Sequence, residues 1–445
     1  GDYKIRVAHS FFGADHGYPY LFFERPQEAL APLADLGLGS SAGGLAYLEA
    51  AFPPEYRGNV FFCEWGRSVV RYRLERTGSA FAPVKEVEFA AGAENDPYGF
   101  KPTDVVVERD GSLIVVDWAD GQRPKRGRAR VYRIAYTGGS MQPAESQSSV
   151  SEREKAVDKT TELERWIKQL GSESYEQRIE AQTALERSGS AGKTALHEAL
   201  RQERLGVRAR FHAVWITARS GDQAAGEILF RIAQTDAEPR VRAQAVRALA
   251  DLNDPVLTRH RLDAGRGDAD FASRLATLLA WDADARIQLE SIIGSSRLRW
   301  SGLPGSLRVH FNQADQALSH AAMQSLRRSE NWSEIFKLLD EPEDQPIRVV
   351  ALRALANQFQ PEVVDGLIDR LREGVDFRRR AEHAETLTRV HKKPGAWTYW
   401  GYRPGLRPAN TVAWEKTEAI EQALDRVLAD PDRSVRLIAL RGMQR

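Results

Sequence analysis

An aromatic and basic segment near the C-terminal end has the residue types of a ligand-binding surface. Residues 391–414 read HKKPGAWTYWGYRPGLRPANTVAW, in which aromatic rings alternate with Lys and Arg among Pro and Gly. Such rings can stack on a glycan, a cofactor face or another domain, and cations reinforce the contact. The alternative is a loop that folds back and fills a groove with its rings. The predicted ligand or partner surface consists of Trp397, Tyr399, Trp400, Tyr402, Arg403 and Arg407.

A second group of candidate residues lies in the N-terminal third. Arg57, in the sequence PEYRG, could bind a ligand anion, or it could pair with a neighbouring structural unit. Asp104 could orient Lys101 or bind a cation, or it could only cap a strand. The single cysteine, Cys63, is expected to be a buried strand residue.

The sequence up to about Thr137 is typical of β-sheet, with aromatic residues, Gly and short β-branched runs between turn signals. The pair Asp110-Gly111 between two apolar runs indicates a hairpin, because Gly accepts the positive φ of a tight turn. Two units of four short strands each are predicted, and such units resemble propeller blades. A closed propeller needs at least about four blades of roughly 40 to 50 residues. Residues 1–138 are therefore predicted to be the last blades of a partial β-propeller, with strands expected at 58–65, 68–74, 81–89, 104–108, 112–117 and 130–136.

Residues 139–160 are predicted to be a linker, since they are rich in Ser, Gln, Glu and Lys and poor in apolar residues. Beyond them a helical motif recurs, in which an Arg is followed by small residues and a large apolar residue at the eighth place. Its starts at 178, 208, 242 and 274 are 30, 34 and 32 residues apart. This period predicts an α-helical solenoid of HEAT type over residues 161–445, with an insertion at 391–414. The repeated Arg is expected to pair with acids of a neighbouring repeat.

Composition excludes several classes of function. The chain has 63 Lys and Arg against 62 Asp and Glu, so no overall field favours nucleic acid. No apolar run has the 18 or more residues of a membrane span, and one cysteine allows neither an internal disulfide nor the CxxCH motif of a c-type haem. The chain begins Gly1-Asp2-Tyr3 and enters strand-like sequence at once, so we expect it to be part of a longer protein.

Three stretches together resemble a known enzyme family. GADHGYP at 13–19, SSAGGLAYLEAAFPPEYRGNVFFCEWG at 40–66 and FKPTDVVVERDGSLIVVDWADG at 100–121 are similar to later blades of the glucose/sorbosone dehydrogenase propellers. The order of motifs is similar to a multidomain family of planctomycete-type bacteria, in which such a propeller precedes HEAT repeats and a cytochrome c domain. The stretch YWGYRPGLRPANTVAW resembles that family too.

The resemblance implies a chemistry and a location. Such enzymes bind pyrroloquinoline quinone with calcium, use a His as general base for hydride abstraction from a sugar, and hold the quinone carboxylates with basic residues. It implies that His16 and Tyr18 face the central channel, where the alternative is an ordinary turn whose polar groups are satisfied locally. The implied cofactor-binding residues are His16, Tyr18, Arg57, Lys101 and Asp104. The family's catalytic His lies on earlier blades, so the catalytic residues are unknown, and His16 belongs to a different motif. Periplasm or cell envelope is the implied location.

The expected fold class is therefore a multidomain β + α protein. One functional hypothesis is a fragment of a carbohydrate dehydrogenase that is inactive alone, whose partners would be a sugar substrate and the haem domain of the parent chain. The alternative is a non-catalytic scaffold that binds carbohydrate or protein through the partial propeller and the solenoid. Neither hypothesis involves nucleic acid or a membrane span in this chain.

Overall fold

A computed structural model provides the structure of the protein. It describes residues 4–17, 29–38, 41–64, 68–96, 99–118, 129–138, 159–221, 223–311, 315–396 and 411–444. The chain divides into two compact units. The first unit contains residues 1–11, 31–264 and 281–294, and the second contains residues 12–30, 265–280 and 295–445. The predicted linker at 139–160 falls almost entirely outside the described residues, and the first helix begins at Lys159.

The N-terminal part of the first unit is built from antiparallel sheets. Its strands are β1 (Lys4–Val7), β2 (Ala34–Leu38), β3 (Ser41–Ala46), β4 (Val60–Glu64), β5 (Ser68–Thr77), β6 (Ala80–Ala91), β7 (Pro102–Val107), β8 (Leu113–Asp117) and β9 (Arg130–Ile134). They form sheets β1-β2, β3-β4-β5-β6 and β7-β8-β9. The hairpin predicted around Gly111 joins β7 and β8, and Gly111 has a φ of 81°. The second predicted unit has three described strands rather than four.

The sheets pack face to face. One face of β3-β4-β5-β6 meets β7-β8-β9 through buried apolar residues that include Phe61, Val69 and Leu113. The other face meets the β1-β2 sheet through Phe62 and Val70. The four-stranded sheet has apolar side chains on both of its faces, so each face is covered by a further sheet. The four-stranded sheet is thus the central layer of the three.

Helices make up the rest of the described chain. They are α1 (Lys159–Gln169), α2 (Tyr175–Arg187), α3 (Gly189–Arg201), α4 (Val207–Ser220), α5 (Gln223–Thr235), α6 (Pro239–Asn253), α7 (Pro255–Arg259), α8 (Ala269–Trp281), α9 (Ala285–Arg297), α10 (Leu303–His310), α11 (Gln316–Ser329), α12 (Trp332–Lys337), α13 (Pro346–Leu355), α14 (Pro361–Glu373), α15 (Phe377–Thr388), α16 (Thr417–Val427) and α17 (Arg433–Met443). Short 3-10 turns occur at Pro54–Tyr56 and Leu338–Asp340. A two-residue ribbon pairs β10 (Lys393–Pro394) with β11 (Thr411–Val412).

Helix starts follow the capping rules that the sequence suggests. Ser174, Asp376 and Asp432 each accept a backbone N–H from the first turn of the helix that follows, while Pro239 occupies the first position of α6. Such caps satisfy N–H groups that have no partner inside the helix. The caps fix where each helix begins, and with it the position of the repeated Arg. No helix in the described ranges is both long and apolar enough to cross a membrane.

Candidate functional site

The predicted aromatic surface lies outside the described residues. This applies to Trp397, Tyr399, Trp400, Tyr402, Arg403 and Arg407, and also to Tyr18. The two ends of the insertion are described, and they are fastened to the solenoid. Lys393 pairs with Val412 in the ribbon, and the Trp414 indole donates to the carbonyl of Val390 at 2.9 Å. The Lys393 ammonium also lies 4.4 Å from the centre of the Trp414 ring.

His16 lies in a loop that is attached to α11 in the second unit. The backbone N–H of Asp15 donates to Nε2 of His320 at 2.9 Å, and the Asp15 carboxylate accepts the N–H of Gly17 at 2.8 Å. Nδ1 of His16 lies 3.4 Å from the carbonyl oxygen of Leu30, and its Nε2 is buried without a partner among the described residues. This contact could not be predicted from the sequence, because Asp15 and His320 are 305 positions apart.

Lys101 lies beside a buried carboxylate that is fully engaged. The Asp117 side chain is 0% exposed and accepts the backbone N–H of Lys101 at 2.9 Å and Nε of Arg130 at 3.0 Å. Arg130 also binds Asp96 at 2.6 Å, and the Asp96 hydrogen bond is the main reason that the pKa of Arg130 is raised. This network ties β8, β9 and the segment before β7 together. Asp117 therefore has a structural role.

Asp104 lies where strand β7 comes unusually close to strand β3. Its carboxylate accepts its neighbour's N–H, that of Val105, at 2.9 Å. A Cβ on Gly43 would lie only 2.6 Å from the Asp104 Cα, so β3 and β7 meet where only Gly fits. Burial, with a smaller contribution from Asp104, raises the pKa of the Cys63 thiol to about 12. The thiol is thus protonated and buried, which excludes a nucleophilic role at neutral pH.

Arg57 joins the sheets to the first helices of the same unit. Its Nη1 donates to Glu173 at 2.6 Å, and Glu173 also pairs with Arg208 of α4. Burial favours a higher pKa for Glu173, but the hydrogen bonds and charges of Arg208 and Arg57 lower it overall. Arg57 is therefore a junction residue in this structure, and its guanidinium is already paired with a carboxylate.

A second contact of this junction involves a buried carboxylate at a helix start. Glu49 is 6% exposed, and its Oε1 accepts the backbone N–H of Glu176, in the first turn of α2, at 2.8 Å. An anion at a helix N-terminus satisfies an unpaired N–H and interacts favourably with the helix dipole. The Glu176 side chain in turn binds Arg109 of the β7-β8 turn at 3.0 Å. We call the contacts of Glu49, Arg57, Arg109, Glu173, Glu176 and Arg208 the sheet–solenoid junction.

In α6 and α15 the repeated Arg makes the contact with a neighbouring acid that the sequence predicted. In α6, Arg242 donates from Nη1 to the Asp236 carbonyl at 2.7 Å and from Nε to Asp282 at 2.7 Å. In α15, Arg380 donates from Nη1 to the Gly374 carbonyl at 3.2 Å and from Nε to Asp430 at 2.8 Å. Each Arg thus binds the turn before its own helix and also the turn before another helix.

The acids that receive these Arg side chains share one position. Each lies three residues before a helix begins, and its Oδ1 also accepts the backbone N–H two residues later at 2.8 or 2.9 Å. We call such an Arg and Asp a clasp. The clasps formed by the repeated Arg are Arg242–Asp282 and Arg380–Asp430. Arg210, two residues after the repeated Arg208, makes the same kind of pair with Asp236. The Arg380 hydrogen bond is the main reason that the pKa of Asp430 is lowered.

Three histidines in helices of the solenoid are buried and neutral. Burial, the largest cause in each case, lowers the pKa of His212, His320 and His383 to about 4. His212 Nδ1 lies 2.7 Å from the amide oxygen of Gln182, and Nε2 of His320 accepts the Asp15 N–H, which requires an unprotonated nitrogen. These histidines are core residues and not ligands. No group of three or more His, Cys, Asp or Glu in the described ranges could hold a metal ion.

Comparison with known proteins supports the helical part of this description. Residues 163–250 match the family model for HEAT repeats. No curated protein matches the chain. Among solved structures, human deoxyhypusine hydroxylase in complex with glycerol is 18% identical, and the match covers 64% of this chain and 96% of that chain with a TM-score of 0.24. A TM-score this low carries no argument about the present chain. The predicted HEAT-repeat solenoid is confirmed, and a separate sheet-rich part precedes it.

Proposed function

We propose that this protein is a non-catalytic scaffold, in which the HEAT solenoid holds the sheet-rich part in a fixed position for a protein partner. The observation that carries this proposal is the sheet–solenoid junction. It combines a buried Glu49 at the start of α2 with the Arg57–Glu173–Arg208 bridge. A flexible attachment would not need the Glu49 contact, because burying a carboxylate is costly unless it is well paired.

The candidate chemical groups of the sheet-rich part fit the same proposal. Arg57 is paired with Glu173, Asp117 is held by Arg130 and a backbone N–H, and Cys63 is a buried thiol. A catalytic group needs access to a substrate and a suitable pKa. The positions of these groups instead stabilise the packing of the sheets and the first repeat.

The sheet-rich part is further proposed to be the last blades of a propeller. The face of β7-β8-β9 that points away from the central sheet exposes Val106, Val116 and Val131, which are 48%, 39% and 68% exposed. Trp118, just after β8, is 47% exposed. Stacked blades bury such apolar faces against each other. This exposed face supports a blade-like arrangement that a further sheet would cover.

The second candidate function is the carbohydrate dehydrogenase of a longer parent protein, located in the cell envelope. The exposed blade face favours it, since added blades would cover that face. The described residues do not fit pyrroloquinoline quinone, however, because its carboxylates need several grouped cations. The predicted contacts include two cations, Arg57 and Lys101, and the guanidinium of Arg57 is already paired with Glu173 at the junction. The quinone, its calcium, a sugar substrate and a haem partner remain proposals for the longer protein.

Hydrogen exchange in increasing urea tests the scaffold. We expect peptides from β3 to β8 and from α2 to α4 to lose protection at one shared midpoint, because the junction couples them. In the Arg57→Met variant, the sheet peptides and the helix peptides should lose protection at different urea concentrations. The matched control is Arg73→Met, which removes an exposed Arg73–Glu75 pair within β5 and should leave them together.

Two results would reject the scaffold proposal. Separate midpoints in the unmodified protein would show that the junction does not couple the parts. Saturable binding of pyrroloquinoline quinone with calcium, followed by sugar-dependent reduction of a dye, would establish the enzyme instead.

A further inference from the structure

The loop at residues 12–17 is attached to helix α11 of the same compact unit through one histidine ring. The backbone N–H of Asp15 donates to Nε2 of His320 at 2.9 Å, and the backbone of Gly13 also forms a hydrogen bond with the ring. Gly13 lies beside the next turn of α11, where an added Cβ would be 3.9 Å from Cβ of Gln324. The loop therefore covers two successive turns of α11, and we call residues 12–17 the strap.

A second contact of the strap does not change in the neutral and mildly acidic range. The centre of the Phe12 ring lies 5.1 Å from the guanidinium carbon of Arg328 and 5.5 Å from that of Arg297. These contacts persist because an Arg side chain keeps its charge at any such pH. The contact of His320 differs from them, since an imidazole gains a proton in this range.

The hydrogen bond with the strap requires a neutral ring. A neutral imidazole has one nitrogen that accepts a hydrogen bond and one that carries a proton, and Nε2 of His320 is the acceptor. Protonation would place a hydrogen on Nε2, so that it would face the N–H of Asp15 in a site where His320 is 6% exposed. A buried donor that loses its acceptor is costly, because no water replaces the lost partner. A protonated ring and an attached strap therefore exclude each other.

The charged and titratable groups around the ring come from both elements. Burial is the main reason that the pKa of His320 is lowered to about 4, and the carboxylate of Asp15 acts in the opposite direction. Arg327 of α11 and His16 of the strap lower the pKa further. Arg327 is bound to backbone carbonyls at the end of α13, so its charge stays near the ring when the strap leaves. Departure of the strap would remove the burial and His16 together.

We propose that residues 12–17 form an acid-released strap, in which protonation of His320 breaks the hydrogen bond with Asp15 and frees the strap from α11. Above pH 6.5 the ring is neutral in both states, and the strap stays attached. As the pH falls, the released state takes up the proton first, so the strap leaves while α11 remains folded. This device goes beyond the scaffold function and does not depend on it, because the sheet–solenoid junction contains none of these residues.

The size of the effect follows from the two protonation equilibria. With the ordinary pKa of 6.5 for the released ring and about 4 for the attached ring, the ratio of released to attached strap should increase about twentyfold between pH 7 and pH 5. The amide of Asp15 reports this ratio, because it is the donor to His320.

Hydrogen exchange of the full chain at both pH values measures the ratio, once each rate is divided by the intrinsic rate of an unprotected amide. The protection of the Asp15 amide should fall about twentyfold from pH 7 to pH 5. At both pH values it should be lower than that of Leu326, which is fully buried in α11.

Two variants separate the strap from the general effect of acid. His320→Gln supplies an oxygen that accepts the Asp15 N–H without titrating, so the protection of that amide should change less than twofold between the two pH values. His212→Gln is the matched control, since it removes another buried neutral histidine in α4. It should retain the twentyfold decrease at Asp15.

Three results would overturn the proposal. The Asp15 amide of the unmodified protein could have the same protection at pH 7 and pH 5. It could exchange no faster than the Leu326 amide, which would show that the strap leaves only when α11 unfolds. Finally, His320→Gln could retain the pH dependence. The first two results need only the unmodified protein, so a folding defect in a variant would not prevent the test.

Discussion

Loss of the Asp430 carboxylate should destabilise the C-terminal repeat selectively. The side chains of Arg380 and Asp430 are 15% and 9% exposed, and they are joined by two hydrogen bonds of 2.8 and 3.0 Å. Asp430 also accepts the N–H of Asp432 at 2.8 Å. Asp430→Ala would leave a largely buried guanidinium with carbonyl partners only, and breaking such a pair costs about 3 kcal/mol. Asp430→Asn keeps the turn contact and should cost about half of that.

The stability loss should also be local. In a solenoid each repeat is stabilised mainly by its nearest neighbours, so the opening free energy of α17 amides should fall while amides of α4 and α6 keep their protection. Native-state hydrogen exchange with mass spectrometry measures both. The control is Asp369→Asn, which removes an exposed Asp369–Arg372 pair within α14 and should change stability by less than about 0.5 kcal/mol.

A double-mutant cycle with Arg380→Met separates the pair from the other contacts of each residue. We expect a coupling free energy of about 1.5 to 3 kcal/mol, because both side chains are largely removed from water. The reasoning would be refuted if Asp430→Ala cost no more than Asp369→Asn, or if the loss of protection were the same in α4 and in α17.

Two further predictions concern the pH dependence caused by the buried histidines and the close contact at Gly43. The buried histidines have a pKa of about 4 in the folded protein, against an ordinary value of 6.5. As the pH falls, the unfolded chain therefore takes up protons before the folded protein does. The stability should be full above pH 6.5 and should decrease towards pH 4. At pH 5 each should contribute a loss of about 2 kcal/mol, and His212→Gln should remove one such contribution from urea midpoints measured at pH 7 and pH 5; an unchanged pH dependence would contradict this. Gly43→Ala should destabilise the sheets by about 2 kcal/mol in thermal unfolding because the new Cβ meets the Asp104 backbone. Gly226→Ala, in open space within α5, should instead be neutral or stabilising by up to about 1 kcal/mol, and equal effects of the two changes would disprove the close approach.

Local patterns predicted the elements well. The hairpin at Gly111 formed where the Asp-Gly pair indicated it, and the strand predicted at 112–117 is β8 at Leu113–Asp117. The recurring Arg motif placed the helices and predicted the contacts of Arg242 and Arg380 with acids. These features depend on residues close in sequence or on a fixed period, so they can be recognised without a structure.

The candidate site was predicted less completely. Arg57 was recognised as a charged residue with two alternative roles, but its partner Glu173 lies beyond the predicted linker. The assignment of His16 to a channel, made by resemblance, stays a prediction, and the contact of its neighbour Asp15 with His320 of α11 was not foreseen. The aromatic surface and Tyr18 stay predictions, since they lie outside the described residues.

The sequence by itself determined the division into sheet and helix, the HEAT period and the pairing of repeated Arg residues with acids in the turns. Hydrophobic periodicity, turn residues and caps depend on residues a few positions apart, so they can be recognised in the sequence. Tertiary structure alone decided which charges meet. Glu49 caps α2 across 127 positions, and Arg380 reaches Asp430 across 50. Such pairings depend on how the sheets and helices pack, because a charge is satisfied by whatever lies near it in space and not by its neighbours in sequence.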